Sequence, residues 1–140
     1  MVYLSNNYVF YLGGIAVHKN ESAENYLETI LMLSRKLRVV RSVDIANELG
    51  YKKSSISIAM KHLREKNHIT VSPEGYIDLT ESGLAIAEMI FERHEILTKV
   101  LTALGVPEEI AAEDACRIEH VISQESFDAI KEHIINYGNS

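Results

Sequence analysis

The stretch "RSVDIANELGYKKSSISIAMKHLREKNHI", residues 41–69, holds two short apolar patterns separated by a glycine. Ser42 suits the N-cap of a first helix, and Gly50 supplies the turn that ends it. A second helix is expected to open at or near Ser54. The residues predicted to face inward are Val43, Ile45, Ala46 and Leu49 in the first helix and Ile56, Ala59, Met60 and Leu63 in the second. Two helices joined by such a turn are typical of a helix-turn-helix.

A hairpin is predicted directly after the second helix. "HITVS" (residues 68–72) and "YIDLT" (residues 76–80) are short β-rich runs, and the Pro-Glu-Gly between them has the chemistry of a tight turn. A hairpin in this place makes the predicted unit a winged helix-turn-helix.

The sequence on both sides of this unit is predicted to be helical. The expected helices run from an N-cap at Ser22 to about Lys36, from Thr80 to Gly105, from Pro107 to about Ile122 and from Ser123 to about Tyr137. The predicted fold is therefore mostly α, with an N-terminal winged helix-turn-helix domain over residues 21–80 and an all-helical domain over residues 81–140. Residues 1–20 lack a helical period and are expected to form an extended or disordered arm, the alternative being a strand added to a neighbour.

The net charge of −6 is unevenly distributed along the chain. Residues 35–66 hold nine Lys and Arg against three Asp and Glu, whereas residues 81–140 hold four against twelve. A local charge of +6 over the predicted helix-turn-helix is what a nucleic-acid-binding surface requires. The two halves of the chain therefore have different roles.

The composition predicts a cytoplasmic protein that does not enter a membrane. Apolar residues make up 46% of the chain, which is enough for a core, and the single cysteine cannot form an intramolecular disulfide. The apolar stretch "YVFYLGGIAV" (residues 8–17) follows no basic region and is too short to span a bilayer.

The second helix of the unit is the candidate reader of double-stranded DNA, because a winged helix lays this helix in the major groove. Its polar face carries lysines and hydroxyls that can contact phosphates and base edges. The predicted DNA-binding residues are Lys52, Lys53, Ser54, Ser55, Ser57, Lys61 and Arg64. The alternative for such a face is a solvated helix that touches nothing.

Apolar side chains lie almost all round the predicted helix over residues 84–91, "LAIAEMIF". A helix on the surface of a single domain would show one apolar stripe. This segment is therefore expected to pack against a partner chain as well as its own domain.

"DACRIEH", residues 114–120, places the chain's single cysteine in polar company. In a helix, Cys116, Glu119 and His120 share one face, so sulfur, oxygen and nitrogen donors point the same way. Such donors can hold a divalent transition metal, although three alone leave its coordination open. Further donors are available on two other predicted helices, namely Glu24, Asn25 and Glu28, which share a face in "ENYLE", and His94, which stands in "ERHEIL" with the acidic neighbours Glu92 and Glu95.

Two other classes of function compete with a metal site. In an enzyme, Cys116 would be a nucleophile and His120 or His94 its base. A nucleophilic cysteine usually stands at a helix N-terminus or in a loop, whereas Cys116 lies inside a predicted helix, so we expect no enzyme. The other class is a winged-helix regulator that senses oxidants through Cys116 or binds an organic effector in its helical domain.

Five segments, taken in order, resemble the metal-dependent repressors of the diphtheria-toxin-repressor and manganese-transport-regulator family. They are "ENYLETILML", "VRSVDIANELGYKKSSIS", "LTESG", "RHEIL" and "EDACRIEHVIS", and the resemblance covers about four fifths of the chain. It implies a transcriptional repressor of metal-ion homeostasis, a homodimer in which Fe²⁺ or Mn²⁺ sets the two reading heads at the spacing of a palindromic operator. The helical domain would then serve dimerisation and metal binding. Because the sequence ends at Ser140, we expect the short, manganese-regulator-like form without a third, SH3-like domain.

The resemblance also implies the metal ligands. Glu28, His94, Cys116, Glu119 and His120 stand where the family places them. Asn25 stands where an Asp or Met ligand is usual, so its contact would be a weak amide oxygen or absent.

The resemblance leaves two metals open. Ala112 and Thr98 replace a histidine and a glutamate of the iron-type ancillary site, which argues against that site here. Cys116 is the softer ligand of iron-type members, whereas Glu28 and the short chain look manganese-type. Mn²⁺ is favoured slightly over Fe²⁺, and other divalent transition metals can serve in vitro.

Overall fold

The structure, a computed structural model, describes the backbone of residues 15–137 and the side chains of residues 23–136. Its helices are α1 (Ile15–Lys36), α2 (Ser42–Leu49), α3 (Lys53–Glu65), α4 (Glu81–Ala103), α5 (Glu108–Ile118) and α6 (Gln124–Tyr137). Its strands are β1 (Ile69–Val71) and β2 (Ile77–Leu79), which form one antiparallel pair. The predicted fold class, mostly helical with a winged helix-turn-helix, is confirmed.

These residues divide into two compact units. One unit spans residues 18–89, and the other combines residues 90–137 with the first turn of α1. The boundary between the units falls within α4 rather than in a linker, so the predicted domain limits at residues 20 and 80 stay predictions.

The helix-turn-helix forms because both of its helices present apolar residues to one core. Ile45, Leu49 and Ile56 are buried, as are Met60 and Leu63, whereas the predicted inward residue Val43 is exposed and Ala59 is half-buried. The prediction for Val43 is wrong because it lies in the first turn of α2, where solvent reaches it.

The N-terminal end of α2 differs from the prediction, whereas its C-terminal end agrees with it. Arg41, not Ser42, is the N-cap, and the Asp44 carboxylate accepts a hydrogen bond from the Arg41 backbone N–H over 2.8 Å. At the other end Gly50 adopts a φ of +69°, a left-handed conformation in which a residue without Cβ is favoured. The chain thereby turns directly into α3.

The wing is a short hairpin that joins the core through one side of each strand. Ile69 pairs with Leu79 and Val71 with Ile77, and Ile69 and Ile77 are buried. The backbone N–H of Ile77 also donates to the carbonyl of Val40 over 2.8 Å, which ties the wing to the segment before α2.

The start of α4 is packed closely against the end of α3 and the wing. Thr80 is its N-cap, as predicted, and the Thr80 hydroxyl accepts a hydrogen bond from the Gly83 N–H over 3.2 Å. A Cβ on Gly83 would collide with the carbonyl oxygen of His68. Glycine at this position of "LTESG" therefore allows the helix to approach the wing.

Two predicted helix boundaries are wrong. The first helix begins at Ile15, so Ser22 lies inside it and residues 15–20 are helical instead of extended; the rest of the predicted arm, residues 1–14, lies outside the described residues. α5 ends at Ile118, not at about Ile122. The backbone N–H groups of Val121 and Ile122 both turn back to the Ile118 carbonyl, which closes the helix early.

The unit of residues 90–137 has a small core of its own, in which Ile90, Ala111, Ala115 and Phe127 are buried. Ser123 caps α6 by accepting a hydrogen bond from the Ser126 N–H over 3.1 Å. Within residues 15–137, none of the helices combines the length and apolarity needed to cross a membrane.

Candidate metal centre and nucleic-acid interface

Three side chains of the unit of residues 90–137 bring metal-binding atoms together. His94 lies on α4, Cys116 lies in the last turns of α5 and Glu119 is the C-cap of that helix. One ligand atom from each lies within 4.8 Å of the others. Donors on opposite sides of one ion are separated by about 4 to 4.6 Å, twice a bond of roughly 2.0 to 2.3 Å. The spacing therefore fits a single ion.

The Glu119 carboxylate is the centre of this cluster and is fully buried. Its Oε2 lies 2.9 Å from His94 Nδ1, and its Oε1 lies 3.3 Å from His120 Nε2. The second contact lacks hydrogen-bond geometry, so within the described part of the chain Oε1 has no hydrogen-bond partner. A buried carboxylate oxygen left in this state costs free energy that a bound cation would recover.

A proton on His94 adds a positive charge to the cluster at neutral pH. Hydrogen bonds with Cys116 and Glu119 and attraction to the Glu119 charge raise the pKa of His94 to about 10, although burial opposes the shift. The imidazolium supplies at neutral pH the positive charge that the neighbouring acceptors require. A metal cation would have to replace that proton, since only neutral imidazole binds a metal.

The donor set itself, one nitrogen, one sulfur and one oxygen, fits a divalent transition metal better than Mg²⁺ or Ca²⁺, which prefer oxygen ligands alone. The observation that carries this fit is the buried Glu119 carboxylate, whose Oε1 has no hydrogen-bond partner among the described residues, in one cluster with a ring nitrogen and a sulfur. The residues present therefore fit the group that the sequence predicts.

The other predicted ligands are His120, Asn25 and Glu28. His120 is in the turn after α5, with its side chain buried beside Glu119. Asn25 and Glu28 are on α1 in the unit of residues 18–89, and both are buried. The backbone carbonyl of Asn25 accepts a hydrogen bond from the Thr29 hydroxyl over 2.8 Å. The ligand role of these three residues stays a prediction.

Thr98 and Ala112 stand where iron-type members have metal ligands, and neither side chain is available as a ligand here. The Thr98 hydroxyl donates to the His94 carbonyl one turn earlier on α4, over 2.7 Å. Ala112 carries no donor atom and is half-buried on α5.

An arginine beside the cluster was not predicted from the sequence. Arg93 precedes His94 and is buried, with its guanidinium against the turn that carries Glu119. Its one signal in the sequence is a cation next to a proposed ligand on an apolar helix. Arg117, the other arginine near the motif, pairs instead with Asp114 at 3.5 Å on its own helix.

The predicted DNA-binding residues all lie in solvent. Lys52 is the N-cap of α3 and the other six stand on the helix itself; the exposed residues are Lys52, Lys53, Ser54, Ser55, Ser57, Lys61 and Arg64. The same face holds an apolar residue that the sequence analysis omitted, because Ile58 is 59% exposed. An exposed isoleucine among lysines and serines is available for contact with a base.

The chain matches the two domains of one protein family. Residues 19–77 match "Iron dependent repressor, N-terminal DNA binding domain", and residues 80–137 match "Iron dependent repressor, metal binding and dimerisation domain".

Two curated relatives are transcriptional regulators named MntR. The transcriptional regulator MntR of Escherichia coli O6:H1 is 35% identical over 114 residues, which are 81% of this chain and 74% of that protein. The HTH-type transcriptional regulator MntR of Bacillus subtilis is 33% identical over 109 residues, covering 78% of this chain and 77% of that protein.

Solved structures share the fold. The crystal structure of T. acidophilum IdeR superposes with a TM-score of 0.68 at 27% identity, over 82% of this chain and 53% of that one. A manganese-dependent transcriptional repressor in complex with manganese superposes with a TM-score of 0.73 at 24% identity, over 80% of this chain and 52% of that one. This chain spans about half the length of these two. The domain matches and the relatives together show that it belongs to the iron dependent repressor family of metal-dependent, DNA-binding transcriptional regulators, which are not enzymes.

Proposed function

We propose that the cluster of His94, Cys116 and Glu119 is the regulatory metal centre of this repressor and that Mn²⁺ is its physiological metal. The observation that carries the proposal is the buried carboxylate of Glu119, with an unsatisfied oxygen, among two other donor groups. Mn²⁺ and Fe²⁺ both fit the family. The Cys116 sulfur favours Fe²⁺, whereas the similar structure described as a manganese-dependent repressor in complex with manganese favours Mn²⁺.

The proposed ligand set is completed by His120, Glu28 and, more weakly, Asn25. His120 is supported by its contact with Glu119, and Glu28 by its place in "ENYLETILML" and its burial. A divalent cation would supply positive charge at this set of donors. His94 would have to be neutral to hold it, so its proton would leave on binding, and Glu119 would present its carboxylate from the turn after α5.

Metal binding and DNA binding are linked through the conformation that both ligands prefer. A metal can raise operator affinity only by its preference for the DNA-binding conformation, and DNA must then raise metal affinity by the same factor. A ligand whose loss removes the linkage without abolishing metal binding would reveal this coupling directly, and Glu28 is the proposed one.

α3 is proposed to lie in the major groove of the operator. Lys53, Lys61 and Arg64 would neutralise phosphates, and Ser54 and Ser57 can reach base edges. Ile58 is proposed to contact the methyl group of a thymine. The wing would lie beside the backbone.

The protein acts as a homodimer on a two-fold symmetric operator. In the described chain Leu84 is exposed, and Ile86, Met89 and Phe91 are only half-buried, although all lie on the apolar segment of α4. We propose that this segment contributes to the two-fold interface and that the protein works in the cytoplasm. Sedimentation at micromolar concentration should show a dimer, and a monomer both with and without metal would contradict it.

The experiment that tests the function is operator binding by purified protein after chelation, followed by Mn²⁺, Fe²⁺, Zn²⁺ or Co²⁺ at buffered free concentrations. The operator can be selected from a random DNA library in the presence of Mn²⁺. The proposal is supported if Mn²⁺ restores operator binding at a lower free concentration than Fe²⁺, Zn²⁺ or Co²⁺ does. Binding that ignores the chelator would instead favour a regulator that responds to oxidants or to an organic effector.

A further inference from the structure

Arg93 is a buried cation at the junction of three elements. Its Nη1 donates to the carbonyl oxygens of Glu119 over 3.0 Å and Ile122 over 3.1 Å. Its Nη2 donates to the side-chain oxygen of Gln124 over 2.9 Å, and the guanidinium lies 5.5 Å from the centre of the Phe127 ring. One side chain of α4 thus contacts the turn after α5 and the first turns of α6.

These contacts lie where α5 ends. In a longer helix the Glu119 carbonyl would accept a hydrogen bond from the backbone N–H four residues later, but here it accepts from Arg93. A cation at the C-terminal end of a helix is also favoured by the helix dipole. The turn that carries Glu119 is therefore held by Arg93 instead of by a further turn of helix.

We infer that Arg93 is a positioning residue of the metal centre, which fixes the backbone at Glu119 so that the carboxylate faces His94 and Cys116, and which joins that turn to α6. Arg93 offers no ligand atom, because a guanidinium has no free electron pair to donate. It acts through Glu119. The inference rests on the proposed function, since it assigns a role within the proposed centre.

The planar fork of the guanidinium is essential to this role. Arg93 bonds two backbone carbonyls with one nitrogen and a side-chain amide with the other, while its buried Nε has no hydrogen-bond partner among the described residues. An ammonium group on a flexible stem cannot reproduce that planar arrangement. Arg93→Lys should therefore keep the charge and lose much of the positioning.

The adjacent residue provides a matched control. Glu92 accepts a hydrogen bond from Lys131 over 2.9 Å, and both side chains are exposed. This pair also joins α4 to α6, but through groups that do not contact the turn at Glu119. Glu92→Gln therefore tests whether any loss of an α4–α6 contact has the same consequence.

The experiment measures Mn²⁺ affinity of the full chain from the electron paramagnetic resonance signal of free Mn²⁺, with circular dichroism as a check of folding. Arg93→Gln should weaken Mn²⁺ binding by about 10- to 100-fold, the usual cost of losing a group that supports a ligand. Arg93→Lys should fall between it and the unmodified chain, and Glu92→Gln should stay within about twofold of the unmodified chain, as expected for an exposed pair.

A double-substitution cycle separates positioning from a merely structural role. If Arg93 acts through Glu119, Arg93→Gln should cost little further affinity in a Glu119→Gln background. Equal costs in both backgrounds would overturn the inference while leaving the proposed centre in place. Unchanged Mn²⁺ affinity in Glu119→Gln and in His94→Ala would instead refute the centre itself. If Arg93→Gln does not fold, Arg93→Lys takes its place in the same cycle.

Discussion

The polar face of α3, proposed to bind DNA, and the cluster around Glu119, proposed to bind metal, differ in how their residues are placed. On α3 the lysines and serines stand in solvent, each free to meet a different part of the DNA. Around Glu119 the ligand groups are buried or half-buried and contact one another before any ligand arrives. Substitutions on α3 should therefore have modest, additive effects, whereas substitutions in the cluster should have large, coupled ones.

The largest effect is expected for His94→Ala. It removes one of three converging donors and should weaken Mn²⁺ binding by more than about 100-fold, beyond the 10- to 100-fold cost of losing a supporting group. Metal-dependent operator binding should be lost at the same free Mn²⁺, while the fold and weak metal-free DNA binding persist. The readouts are Mn²⁺ titration and operator binding. His133→Ala, on the exposed side of α6, is the control, and equal losses in both variants would contradict the comparison.

Glu28→Gln should separate the two halves of the function. The amide is similar in size but a weaker ligand, so we expect Mn²⁺ still to bind while the metal-induced gain in operator affinity falls by about 10-fold or more. The measurement is operator affinity with and without saturating Mn²⁺. A full metal-induced gain in this variant would remove Glu28 from the signalling mechanism.

A smaller effect is expected from pH, which should change Mn²⁺ affinity through the cluster. Because the pKa of His94 is raised to about 10 in the metal-free chain, its contribution to stability is complete below the unfolded value and is lost as pH rises through 10. Metal must displace that proton, so Mn²⁺ affinity should rise with pH, by up to about tenfold per pH unit below pH 10, and should level off above it.

Isothermal titration in two buffers of different ionisation enthalpy measures the proton directly. At pH 7 at least one proton should be released for each Mn²⁺ bound. Binding without proton release would show that His94 is already neutral or is not a ligand.

The same contrast explains how much could be predicted from the sequence. α2, α3 and the wing follow from local patterns, namely apolar spacing, Gly50 and a turn between two β-rich runs. The exposed face of α3 was predicted for the same reason, since exposure on an amphipathic helix needs no knowledge of distant residues. The meeting of His94 with Glu119, which are separated by 25 positions, was one possibility among donors on three predicted helices, and only the resemblance to a known family made it a specific expectation.

The end of α5 could not be predicted because it depends on a tertiary contact. The sequence "CRIEHVIS" contains no glycine or proline to stop a helix, and the helical pattern continues to Ile122. Arg93 on another helix takes the carbonyls of Glu119 and Ile122. The start of α1 was missed for a simpler reason, because the residues after Gly14 show no apolar period.

On α3, replacing Lys53 or Lys61 by Ala should weaken binding to all DNA sequences alike. Each lysine should neutralise about one phosphate, so each substitution should lower the slope of log affinity against log salt by roughly one unit. The double variant should show the sum of the two changes. Binding measured between low and moderate salt on operator and on unrelated DNA checks this, and unchanged slopes would remove both lysines from the interface.

The smallest effect is expected at Ile58, and it should differ in kind from that of the lysines. Burying one methyl group is worth about 0.8 kcal/mol, or roughly fourfold in affinity, so removing the thymine methyl that Ile58 contacts should cost about that much. Operators in which single thymines are replaced by deoxyuridine identify the position. Ile58→Ala should bind the selected operator several-fold more weakly with an unchanged salt slope, and should be insensitive to the same replacement. Val43→Ala, which alters an exposed apolar residue on α2, should remain sensitive to it. If Ile58→Ala still loses fourfold on deoxyuridine substitution, the thymine methyl is read by another residue, and the face of α3 would contribute phosphate contacts and hydrogen bonds alone.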